Sequence, residues 1–97
     1  MDLVSSAGRF LQGRGRDIER ARFGYHFGDS SREDLLEVLE RYQNQDGGFG
    51  HGLEPDIKAP DSNPFVTELA LLICLQAEVP KEHPLLQRTA EYLEEAQ

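Results

Sequence analysis

No apolar run in this 97-residue chain approaches the roughly 18 to 20 residues needed to cross a bilayer. The longest, "LALLICL" at Leu69 to Leu75, stops at seven. A membrane-spanning helix is not expected. The opening stretch "MDLVSSAGRFLQGRGR" has no apolar core of a signal peptide and carries arginines where that core would lie. A single cysteine, Cys74, leaves no partner for an internal disulfide. Together these features place the protein in the cytoplasm as an expectation. Basic residues are scarce, ten against eighteen acidic ones, for a net charge of −8. They are also unevenly spread. In residues 1–28, five arginines against Asp2, Asp17 and Glu19 leave +2; in residues 29–97, five cations against fifteen acids leave −10. Such a surface repels polyanions, so nucleic acid is not an expected partner. The arginine-rich start reads as a solvated helix face or a local anion site. No segment alternates like a strand, so the expected class is all-α.

The 38% hydrophobic and 29% charged residues are a globular composition. A domain of this size buries only about 60 to 65% of the surface its unfolded chain exposes, so the core is modest. We expect one domain over residues 1–97, with an N-terminal helical arm at 1–28 followed at 29–97 by a helix, a glycine-rich loop and a helix pair. In the arm, Leu3, Ala7, Phe10 and Leu11 recur at helical spacing and Ile18, Ala21 and Tyr25 resume it. Gly13 and Gly15 break the arm or divide it into two helices. Ser30 and Glu33 have the spacing of a capping box, and Leu35, Leu36, Leu39 and Tyr42 form one stripe behind it. Asn63 is placed to cap a helix with Pro64 in its first turn. On that helix Phe65, Val66, Leu69, Ala70, Leu72 and Ile73 cover more than half the circumference, which predicts a buried element. Val79 before Pro80 ends it. His83 and Pro84 open the last helix, with Leu85, Leu86, Ala90 and Leu93 expected inward and Glu91, Glu94 and Glu95 outward.

The chain repeats itself weakly. "VLERYQ" at Val38 to Gln43 aligns with "YLEEAQ" at Tyr92 to Gln97, sharing Leu, Glu and Gln at an offset of 54 residues. Both segments close an amphipathic helix and a helix pair separates them, as in a repeated two-helix unit.

Between the helices lies "QNQDGGFGHGLEPDIKAPD", Gln43 to Asp61. Its first part, Gln43 to Gly50, resembles the Q-x-x-D-G-G-(F/W) repeat of the terpenoid cyclase and protein prenyltransferase superfamily. The longer run from Tyr42 to Ser62 looks like the opening repeat of the bacterial prenyltransferase-like, or squalene-cyclase-like, proteins. The resemblance implies helix-pair repeats in a partial (α/α)6 toroid, of which this chain would form an N-terminal fragment of about two pairs. It also implies a small apolar substrate held by the complete toroid. The remainder of that toroid, or a second copy, would be the partner.

The repeat is regarded in that superfamily as a staple around the toroid. Each residue has a matching physical reading: Gly47 and Gly48 permit a tight exit, with positive φ, from a helix ending near Gln45. Asp46 bonds backbone amides in the turn, Phe49 plugs the space between helices, and Gln43 reaches the next unit's backbone. Gly50 completes the motif. The superfamily's D-x-D-D acid run and D-D-x-x-D metal motif are absent. Cys74 sits in the most apolar helix and reads as core rather than as a zinc ligand. The candidate site is therefore "HGLEPD" and its surroundings. His51, Glu54, Asp56 and Asp61 lie within eleven positions, a grouping that could take a divalent cation or divide acid and base roles, or simply cap turns and helices. Pro55 and Pro60 stiffen that loop. Two functional classes follow: a fragment of a toroid enzyme with its chemistry elsewhere, and a non-catalytic helical module for self-association.

Overall fold

The computed structural model describes Val4 and residues 16–96. The stripe expected at Leu3, Ala7, Phe10 and Leu11, and the breaks at Gly13 and Gly15, lie outside the described residues. Four further helices occupy α1 (Asp17–Phe27), α2 (Arg32–Glu40), α3 (Pro64–Gln76) and α4 (Pro84–Glu95). Among the described residues the only sheet-like pairing is an isolated antiparallel bridge between Gln43 and Phe49. The class is all-α. No described helix is long and apolar enough to cross a membrane.

The chain divides into two compact units, Met1–Leu39 and Glu40–Gln97. That division falls eleven residues later than the one the charge pattern suggests at residue 28. In the first unit α1 buries Ile18 and half-buries Ala21 and Tyr25, as its spacing predicts. Arg16 holds both carboxylate oxygens of Glu19 at 2.9 and 3.0 Å across the helix start. Phe23 and Phe27 meet one turn apart, with ring centroids separated by 5.2 Å.

The capping box at the start of α2 is present, but one residue further on than expected. Ser31 Oγ accepts from the Asp34 amide at 3.1 Å, and Asp34 Oδ2 accepts from the Ser31 amide at 3.2 Å. The helix begins at Arg32, so Ser31 flanks it and Asp34 is its third residue. Aspartate there does the reciprocal job ordinarily given to glutamate. Leu35, Leu36 and Leu39 are buried, whereas Tyr42 lies past the end of the helix and is half-buried.

In the second unit α3 packs against α4. Asn63 Oδ1 accepts from the amides of Phe65 and Val66 at 2.8 and 3.3 Å, which with Pro64 at the first position fixes the entry as expected. The exit is a Schellman motif: Glu78 takes the left-handed conformation at φ 55°, Val79 donates to the Cys74 carbonyl at 3.0 Å and Glu78 to that of Leu75 at 3.1 Å. Val66, Ala70, Ile73 and Cys74 of α3 join Ala77, Val79, Leu85, Phe49 and Leu53 in the core.

Two expectations about the helix faces are corrected. α3 is not enclosed: Phe65, Leu72 and Leu75 remain 64%, 48% and 61% exposed. Within its unit α4 is its one helical neighbour, and one neighbour covers one face. On α4 it is Thr89, not Ala90, that turns inward. Burial of its hydroxyl is tolerated because Oγ1 donates to the Leu85 carbonyl at 2.7 Å.

A stapled loop and its polar cleft

The loop between α2 and α3 starts earlier than expected. α2 stops at Glu40 rather than near Gln45, and the Gln43 amide donates to the Glu40 carbonyl at 3.1 Å. The glycines that follow therefore do not cap that helix. They shape a hairpin, in which Asn44 donates to the Gly48 carbonyl at 2.8 Å and Gly47 to that of Asn44 at 3.0 Å. Gly47 needs φ +90°, and any Cβ there would also strike the Arg88 carbonyl. Gly48 does not have a positive φ; it is small because a Cβ would fall 2.6 Å from Ser62 and 2.8 Å from the Tyr92 ring.

Side chains fasten this hairpin to α4. Gln43 Nε2 lies 3.1 Å from the Gly47 carbonyl, 3.2 Å from that of Leu85 and 3.3 Å from Thr89 Oγ1. Arg88 answers from the helix: Nη1 donates to Gln43 Oε1 at 3.3 Å, and Nη2 to the carbonyls of Asn44 and Gln45 at 2.9 and 3.1 Å. Phe49 is fully buried, and its amide donates to Thr67 Oγ1 of α3 at 2.9 Å. Gln43, Asp46 and Phe49 thus take the bonding and packing roles assigned to them from the sequence. Arg88, Thr67 and Thr89 were missed. Their partners lie 18 to 46 positions away, and no local pattern marks such pairings.

The acidic part of the loop separates into two places. Glu54 belongs to a turn of its own: Oε1 accepts from the Asp56 amide at 2.7 Å and its carbonyl from Ile57 at 2.9 Å. Asp56 is exposed beside it. His51 and Asp61 instead lie toward an open cleft of about 450 Å³ lined by Asn44, Gln45, Asp46, Pro60, Asp61 and Ser62. His51 adopts φ 58°, and its Nε2 lies 2.6 Å from Asn44 Oδ1. Asn44 Nδ2 donates to the Pro60 carbonyl and to Ser62 Oγ, both at 3.0 Å. A carbonyl only accepts, so the Asn44 amide can point just one way and His51 Nε2 carries the proton. Ser62 Oγ donates onward to Asp46 Oδ1 at 2.6 Å, where the Gly48 amide also arrives at 2.9 Å.

The result is one directed chain, from His51 through Asn44 and Ser62 to Asp46. It holds the two ends of the loop together and gives each bonded polar atom a role in doing so. The Ser62 proton is committed to Asp46, and His51 faces Asn44 rather than Ser62, so the arrangement presents no activated hydroxyl. Among the described residues no group of three or more His, Cys, Asp or Glu side chains is placed to hold a metal ion. The expected cation site at His51, Glu54, Asp56 and Asp61 finds no such donor set.

Two other titratable groups are shifted. Burial pushes the Cys74 thiol up to about 11, which leaves it protonated and inert at neutral pH, as a core cysteine should be. The Tyr92 phenol is raised by burial first and by the Asp46 carboxylate second. His83 is the helix-entry residue expected, its Nδ1 accepting from the Leu85 amide at 3.2 Å.

Fold and loop define an all-helical protein whose conspicuous motif is a structural joint. No protein-family model, curated protein or solved structure matches the chain.

Proposed function

We propose that the chain is a scaffold portion of an α/α toroid of the prenyltransferase-like, terpenoid-cyclase-like kind, with its reaction carried elsewhere in a larger assembly of helices. One observation carries this reading: the Q-x-x-D-G-G-F run acts as a staple, its Gln43 bound to the backbone of α4 while Arg88 of α4 holds the Asn44 and Gln45 carbonyls. A joint of this kind lets one helix pair be followed by another at a fixed angle, which is the requirement of a repeat architecture. The substrate class, a small apolar molecule such as an isoprenoid, comes from the resemblance alone. Four helices cannot enclose a central cavity, so these residues by themselves are expected to be inactive.

The coding frame beyond residue 97 tests this. The offset of 54 residues places a second D-G-G-(F/W) loop just after Gln97. A stop codon directly after it would sink the toroid reading.

The exposed Phe65, Leu72 and Leu75 favour a second reading, in which the chain is a non-catalytic helical module whose open α3 face covers a second copy. Sedimentation of the 97-residue chain tests it. Concentration-dependent association supports that reading, and a cooperative monomer at all concentrations eliminates it.

A further inference from the structure

α3 and α4 begin in the same way. Asn63 and His83 flank them, Pro64 and Pro84 fill the first position, and in each the amide after the proline donates to the cap side chain. Phe65 donates to Asn63 Oδ1 at 2.8 Å, and Leu85 to His83 Nδ1 at 3.2 Å. The caps differ in one chemical respect. An amide oxygen accepts at any pH, but an imidazole nitrogen accepts only while its lone pair is free. Protonation makes both ring nitrogens donors. It would set N–H against N–H and place a cation at the positive end of the helix dipole.

We propose that protonation of His83 releases the first turn of α4, so that this helix entry is acid-sensitive while the matching entry of α3 is not. The turn it would release matters to the rest of the unit. Leu85 is 3% exposed, and its carbonyl receives both Gln43 Nε2 and Thr89 Oγ1. The staple and the cap therefore share a residue, and loosening the cap loosens the joint.

Nothing charged compensates. Among the described residues no ion pair and no other side-chain hydrogen bond reaches the His83 ring. Lys81 and Glu82 before it, Glu78 after α3, Glu68 on α3 and Glu91 on α4 are all exposed. Arg88 is turned to the Asn44 and Gln45 carbonyls, and the loop carboxylate Asp46 is held by Gly48 and Ser62. The sign follows directly. The unfolded chain takes up a proton at His83 freely and the capped helix does not, so the contribution of this cap to stability rises with pH across the imidazole range, roughly pH 5 to 8.

Hydrogen exchange read by mass spectrometry tests the proposal, because peptides spanning the two helix entries serve as signal and control in one sample. Protection at the start of α4 relative to the start of α3 is measured at both ends of that pH range and corrected for intrinsic exchange. In the native chain this ratio should drop about fivefold at the acid end, the fold-change that loss of a typical cap implies. In His83→Asn, which keeps an acceptor in place, it should stay constant. In His83→Ala it should be low throughout. A ratio independent of pH in the native chain, or one that drops equally in His83→Asn, overturns the proposal.

Discussion

Gly50 and Gly52 stand two positions apart and resist a side chain for different reasons. A Cβ on Gly50 would strike the carbonyls of Asp61 and Pro60, which are backbone atoms and cannot step aside. Gly52 has φ +77° but open space around it, the nearest atom being 3.9 Å away. Gly50→Ala should therefore cost about 3 kcal/mol by forced displacement of the loop. Gly52→Ala should cost only about 1 kcal/mol of backbone strain. Urea denaturation of the two variants checks the order, and equal losses would contradict it. The sequence marks glycines as exceptional without saying why. Gly47 proved to need its φ and Gly48 its smallness, and nothing in the letters "GG" separates those causes.

At the scale of elements, α2 offers two overlapping frames. Ser30 with Glu33 and Ser31 with Asp34 both have capping-box spacing, and the bonds choose the second. Ser31→Ala should accordingly lose about 1 kcal/mol, while Ser30→Ala should change stability by less than about 0.5 kcal/mol. Thermal melts of both would show it, and the reverse ranking would restore the first frame. Caps with a proline behind them were readable to the residue, because proline removes an amide donor and fixes φ at once. Burial was less readable. The apolar circumference of α3 says how much surface could be covered, not how many neighbours arrive to cover it, and Thr89 is buried because a hydroxyl can return its bond to its own helix.

At the scale of the molecule, the all-α class and the loop between two helical blocks follow from periodicity and glycine content, and the structure has both. The candidate site did not follow so well. Asn44, which joins His51 to Ser62, sat at an unassigned position of the repeat motif, and Glu54 and Asp56, adjacent in sequence to His51, were drawn into a separate turn. Closeness along a loop is a poor guide to closeness in space once a hairpin intervenes. The open face of α3 yields the prediction at this scale. The triple change Phe65→Ser, Leu72→Ser and Leu75→Ser should abolish binding of an apolar dye and any self-association, while lowering stability by about 1 kcal/mol or less. Ile73→Ala, one position from Leu72 but 3% exposed, should cost about 2 to 4 kcal/mol. A large loss in the triple variant would mean that this face is covered in solution.

The reach of Gln43 also sets an order of events. Its bonds to Leu85 and Thr89 join residues 42 and 46 positions apart, whereas α3 and α4 are joined by a short turn. Closing the longer loop loses more chain entropy, so the helix hairpin should assemble first and the glutamine should engage only after the rate-limiting barrier. Gln43→Ala would then leave the refolding rate unchanged and speed unfolding about tenfold, the whole cost of its lost hydrogen bonds appearing on one limb of the chevron. On this account the staple determines how long the folded state lasts rather than how quickly it is reached.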